Sequence, residues 1–350
     1  MFILSINTTI NSQALRNYSN EFLNIGADAV SLGMSKSVVA TSNDSNSTYW
    51  NPAGLVNIKD FSGSLMHASY FAGIANYNFV SFAMPIDGIS SVGISITRFG
   101  VDDILNTTKL INHQGSIDFS QISLFSAVDY AFNFSYARTL IFKDLHFGVS
   151  TKVIRRIIGE FATSWGFGFD AGIQFERKNW KFGLMVRDIT TTFNTWSIDK
   201  NAFDEIKNSI PGKNNELPQT TEITKPKLQL GLGKIWYLGY YFRLLTEIDF
   251  NVRFGQTNDV FSSKYLSINP AFGFQLDFDN LVFLRGGIGN FQNTTEFDGS
   301  KSLSMQPNFG VGFRYNGIQI DYALTNIGSI GNALYSNIFS IKIDYSFFRH

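Results

Sequence analysis

A two-residue alternation of bulky apolar with small or polar side chains constrains this chain more than any other feature. From Ile338 onward Phe339, Ile341, Ile343, Tyr345 and Phe347 alternate with Ser340, Lys342, Asp344 and Ser346 without an error of register. Trp165, Phe167, Phe169, Ala171, Ile173 and Phe175 interleave with Gly166, Gly168, Asp170, Gly172 and Gln174. Phe242, Leu244, Thr246, Ile248, Phe250 and Val252 do the same against Arg243, Glu247, Asp249, Asn251 and Arg253, with Leu245 as the exception. A period of two puts successive side chains on opposite faces of a strand. Segments of about 9 to 11 residues with one apolar face fit strands that cross a membrane at a tilt.

Fourteen segments follow the pattern: 61–71, 75–84, 89–99, 125–140, 145–157, 163–176, 179–188, 225–237, 239–253, 263–277, 280–290, 303–315, 316–325 and 336–347. The connections after every second strand are tight, among them Pro85-Ile86-Asp87-Gly88, Arg177-Lys178 and the Asn316-Gly317 corner. Most of the others are long: 100–124, 189–224, 254–262, 291–302 and 326–335; the first and fifth are short exceptions. Segregation of loop length by parity is a habit of outer-membrane barrels. The expectation is therefore an all-β fold over residues 61–350, a transmembrane antiparallel β-barrel of about 14 strands. An even strand number places both chain ends on the periplasmic side of the cell outer membrane.

Composition excludes the competing classes. No run of roughly 18 to 20 apolar residues occurs, so a helical membrane span is ruled out. Charged residues are 16%, below the roughly 25% of soluble proteins, and Lys+Arg and Asp+Glu each number 28, so no basic field gathers nucleic acid. A soluble sandwich or propeller would alternate too, but it would present Lys, Glu and Thr on its polar face. Here that face is rich in Gly and the opposite one in Phe, Tyr, Ile and Leu, which suits a polar lumen inside a lipid coat. Phe169→Arg on the lipid face is expected to cost far more than Gly168→Ser on the lumen face.

Nothing points to catalysis. Cysteine is absent, and His67, His113, His146 and His350 show no metal-ligand spacing. Gly166-Phe167-Gly168 belongs to strand alternation, not to a phosphate cradle. No enzyme, metal site or cofactor is expected. The lumen side collects Lys152, Asp170, Arg187, Glu247, Asp249, Arg253, Arg285, Arg314, Lys342 and Asp344, with both signs in similar number. Mutual neutralisation, in a network that holds an internal segment, is the reading favoured over a selective ion path.

Met1-Phe2-Ile3-Leu4-Ser5-Ile6 and the polar residues to Ala14 read as a signal-peptide remnant over 1–14. Residues 15–60 lack strand periodicity yet hold Phe22, Leu23, Ile25, Leu32, Met34, Tyr49 and Trp50, too many apolar groups to hang in water. They are expected to plug the barrel. Gly26-Ala27-Asp28-Ala29, Leu32-Gly33-Met34-Ser35 and Ser42-Asn43-Asp44 lead to Tyr49-Trp50-Asn51-Pro52-Ala53-Gly54-Leu55. This succession resembles the start of FadL-type barrels, and most closely the PorV/PorQ family of Bacteroidota outer-membrane proteins. The resemblance implies a hatch inside the barrel, with Asp44, Tyr49, Trp50, Asn51, Pro52, Ala53 and Gly54 as plug residues. Packing is the favoured role for Tyr49 and Trp50 over gating.

In loop 189–224, Ile198, Ala202, Phe203 and Ile206 share one face of a candidate surface helix. Two functions follow from the resemblance. The PorV/PorQ likeness implies a non-enzymatic component of the type IX secretion system, meeting partner proteins through loop 189–224 or the lipid face. The broader FadL likeness implies a passive transporter of hydrophobic small molecules. The polar lumen sets tilt the expectation toward secretion.

Overall fold

The computed structural model describes residues 19–111, 115–142, 144–209, 220–295, 300–325 and 336–344. The signal remnant, residues 15–18, His113, His350, the loop 326–335 and Tyr345 to Phe347 lie outside them. The strands are β1 (Ser62–Tyr70), β2 (Ala75–Pro85), β3 (Ser90–Asn106), β4 (Ser123–Thr139), β5 (Leu145–Ile158), β6 (Ala162–Arg177) and β7 (Trp180–Arg187). Next come β8 (Thr192–Ile198), β9 (Thr221–Thr224), β10 (Lys227–Leu238), β11 (Phe242–Arg253) and β12 (Phe261–Ser262). The last are β13 (Ser267–Phe278), β14 (Val282–Thr295), β15 (Lys301–Tyr315), β16 (Ile318–Thr325) and β17 (Ser336–Asp344). All 17 belong to one sheet. Each wall strand pairs antiparallel with the next, and β17 returns to pair with β1 from Ser62↔Asp344 to Ser69↔Asn337. With β8, β9 and β12 set aside as extensions, fourteen strands close the wall.

Burial follows the alternation. Trp165, Phe167 and Phe169 are exposed on the outer face, while Ser164, Asp170 and Gln174 are buried inside. Leu245, the irregular residue of β11, faces inward and packs against the internal core. The tight corners adopt the conformations their residues favour: Asn316 (φ 46°) and Gly317 (φ 81°) are both left-handed, as a two-residue hairpin turn requires.

Loop 189–224 departs from the sequence reading, because its first part is strand. β8 pairs with the upper half of β6, and β9 with β8, so β7–β8 and β9–β10 are two wall strands, each interrupted, at Asp188–Thr191 and Lys225-Pro226. Asp188 and Thr191 are left-handed (φ 56° and 61°), and Pro226 cannot donate to a ladder. The helix foreseen there is α3 (Lys200–Ser209); Ile198 ends the preceding strand. Among the described residues no helix is long and apolar enough to cross a membrane.

The segment before β1 folds into short helices, α1 (Ala29–Gly33) and α2 (Ser47–Trp50), with 3-10 turns at Glu21–Asn24 and Pro52–Asn57. Asp28 caps α1 by accepting from the Ser31 N–H at 2.7 Å. Pro52 opens its 3-10 turn, where its missing N–H costs nothing. Ala27, Leu32, Met34, Tyr49 and Trp50 form one buried cluster with the inward side chains Met66, Tyr70, Tyr77, Phe79 and Ile338 of the wall.

Candidate functional site: plug and lumen cavity

The wall grips the plug through carboxylates that meet backbone donors. Asp249 accepts from the N–H groups of Val38 and Val39 at 3.1 and 3.2 Å. Beside it Glu247 accepts from the Ala40 N–H at 2.6 Å and from the Thr41 hydroxyl. Such buried acceptors satisfy donors of an irregular segment that lipid could never satisfy. Lys342 pairs with Asp44 at 2.9 Å. Arg187 donates to the Tyr49 carbonyl at 2.8 Å and lies 4.8 Å from the Tyr49 ring centroid, a cation–π contact.

The motif residues turn their polar groups to neighbours. Tyr49 Oη donates to the Leu23 carbonyl at 2.5 Å, and Trp50 Nε1 to the Ala27 carbonyl and Asp28 Oδ2 at 3.0 and 3.1 Å. Asn51 Nδ2 donates to the carbonyls of Val39 (2.8 Å), Ile173 (3.2 Å) and Leu184 (3.4 Å), so one plug amide reaches both β6 and β7. Ala53 N–H returns to Asn51 Oδ1 at 3.2 Å. Gly54 packs on the Ser42 carbonyl with no space for a Cβ. Burial, reinforced by the Asp44 carboxylate, pushes the Asp28 carboxyl up to about 7.

Not every lumen charge touches the plug. Lys152 lies between Asp170 (2.9 Å) and Asp188 (2.6 Å) and ties the interruption after β7 to β6. Arg285 pairs with Asp321 at 2.8 Å, both fully buried. Arg314 donates to Gln319 at 2.7 Å, and Asp344 accepts from Ser62 at 2.9 Å. Arg253 stands 3.9 Å from Asp259 and is the loosest of the set.

The glycines of the lumen face are contact points, not spare room. A Cβ on Gly183 would come within 2.5 Å of the Val39 carbonyl carbon, and one on Gly287 within 2.5 Å of that of Met34. Gly148 and Gly172 likewise touch Ala53 and Asn51. The mild cost expected for Gly168→Ser is therefore corrected: a Cβ there would overlap the Thr192 hydroxyl and come 2.7 Å from Lys152 Cε. Sequence reasoning missed these plug contacts, although the richness of the inward face in glycine signalled a close neighbour.

On the long-loop side of the plug the lumen holds a cavity of about 390 Å³. Leu23, Ile25, Tyr49 and Trp50 supply apolar floor, and wall strands β10 to β15 supply Gln229, Asn251, Asn269 and Gln306. Lys36, Arg187, Lys227 and Arg253 stand around it against Glu21 as the sole carboxylate in the lining. Burial, then the charges of Arg253 and Arg187, pulls the Lys36 ammonium down to about 8. Unbalanced positive charge of this kind suits an anionic or strongly polar group. Among the described residues no cluster of His, Cys, Asp and Glu could hold a metal ion.

No protein-family model and no curated protein matches this chain. Solved structures do. The P. putida toluene transporter TodX aligns with TM-score 0.55 and 13% identity, over 91% of this chain and 98% of that one. The Ralstonia pickettii toluene transporter TbuX aligns with TM-score 0.52 and 12% identity, over 91% and 98%. A Pseudomonas aeruginosa FadL homologue aligns with TM-score 0.51 and 10% identity, over 92% and 98%. At such identities the likeness is one of fold. The chain folds as a closed 14-strand antiparallel β-barrel of the FadL-like outer-membrane type.

Proposed function

We propose that the protein passes hydrophobic small molecules passively across the outer membrane, through the lumen cavity above the plug. The observation that carries this reading is the cavity itself, whose aromatic and aliphatic floor is built by the plug and whose volume of about 390 Å³ falls in the range of small-molecule sites. The fold shared with hydrocarbon transporters supports it. The short turns are read as periplasmic and the long loops as external. The finer resemblance to the PorV/PorQ family, with its secretion role, rests on the Gly26–Leu55 succession and loosely on the strand count; neither the cavity nor the neighbours reported above support it.

The cationic lining narrows the substrate class. Lys36, Arg187 and Lys227 against Glu21, with Arg253 beside Asp259, leave an excess of cations that favours a hydrophobic molecule ending in an acidic group, such as an alkyl aromatic carboxylate, over plain hydrocarbon. Isothermal titration of the purified protein tests this. The carboxylate should bind more tightly than the same molecule without its acid, and Lys227→Gln should weaken it about tenfold, the size of one charge-assisted hydrogen bond. Failure of the carboxylate to bind, or equal binding of the two molecules that ignores Lys227→Gln, would overturn the assignment.

A further inference from the structure

The outer face of the wall has a feature that transport does not use. Where β6, β7, β10 and β11 adjoin, an apolar hollow of about 360 Å³ opens toward lipid, lined by Ile173, Phe182, Leu184, Leu230, Leu232 and Phe250. Its floor is backbone, from the cross-strand pair Gly183↔Gly231. Behind that pair lies the plug chain at Val39 and Ala40, so the wall is thin at this place.

Two residues beyond Leu232 on the same face of β10 stands Lys234, about 7 Å nearer the short-turn edge. Its ammonium sits 3.7 Å from the ring centroid of Trp236 and 4.5 Å from that of Trp180. The register places Arg177 opposite Trp180, so a second exposed cation joins the same edge. Among the described residues no carboxylate pairs with Lys234 or Arg177. Indoles with basic side chains mark the level where hydrocarbon gives way to headgroups.

We infer that this face is a binding site for an anionic glycerophospholipid of the leaflet on the short-turn side. One acyl chain fills the hollow over Gly183 and Gly231, and the phosphate lies between Lys234 and Arg177. The hollow alone would suit any apolar chain. The uncompensated cations one strand pair below it select a negative headgroup, because a basic residue near a charged membrane surface attracts anionic lipid. The inference rests on the wall being embedded in a membrane and is independent of what the lumen transports.

Native mass spectrometry of the full-length protein, released from detergent with equimolar phosphatidylglycerol and phosphatidylcholine, tests it. Retention of phosphatidylglycerol in excess is expected, falling about fivefold for each of Lys234→Gln and Arg177→Gln. Leu230→Trp, which fills the hollow from the lipid side, should reduce retention of both lipids. Equal retention of the two lipids, an excess that survives both charge substitutions, insensitivity to Leu230→Trp, or displacement of phosphatidylglycerol by lipid A would overturn the inference.

Discussion

Asn51 places one amide group against three carbonyls, of which Ile173 and Leu184 belong to the wall and Val39 to the plug. Asn51→Ala removes the donor and leaves these acceptors short of a partner, so a loss of about 1 to 3 kcal/mol is expected in urea unfolding. The glycine opposite the plug is a sharper probe. Gly183→Ala drives a methyl group into the Val39 carbonyl, whereas Gly88→Ala, with nothing within 4 Å, meets open space. Their unfolding midpoints should separate clearly; equal midpoints would contradict the close approach. Asp28 adds a pH dependence. Its folded pKa is raised to about 7 by burial, so the stability it supplies is full below the ordinary carboxylate range near 4 and is lost as pH rises through about 7. Melting of the wild type should fall over that window, and Asp28→Asn should flatten the fall.

The strands were legible because lipid on one side and the plug on the other sort residue types by parity, so that Phe167 and Phe169 could only face outward. β8 was not legible for the same reason in reverse: it carries Thr192, Asn194, Trp196 and Ile198 inward and Phe193, Thr195 and Ser197 outward, with polar and apolar residues on both faces. The plug helices have four or five residues, too short to show a period of 3.6. Its charged anchors were named from alternation alone, but the sequence could not tell that Glu247 and Asp249 bind plug backbone while Arg314 and Asp344 bind neighbouring strands. The interrupted strands give an element-scale test. Lys152→Met strands Asp170 and Asp188 in a buried site and is expected to cost about 3 to 5 kcal/mol. On the opposite face Phe169→Arg should cost about 2 to 4 kcal/mol if it sits near the bilayer midplane, against little for the half-buried Gln306→Ser in the lumen.

In the whole molecule, a closed wall, a plug held by backbone-directed carboxylates and a cavity above it lead to the expectation of a barrel that does not behave as an open pore. The intact protein should conduct few ions in a planar bilayer, and removal of residues 15–48 should open a channel; equal conductance in both would favour a porin-like reading. The proposed transport requires passage of a hydrophobic molecule through the cavity. The most direct measurement is the initial rate of uptake of a labelled alkyl aromatic carboxylate by porin-deficient Gram-negative cells making the wild type or Ser304→Trp, whose indole projects into the cavity from β15. The wild type should raise the rate over cells without the protein and Ser304→Trp, at equal abundance, should abolish the gain; no gain for the wild type, or an undiminished gain for the variant, would rule out passage through the cavity.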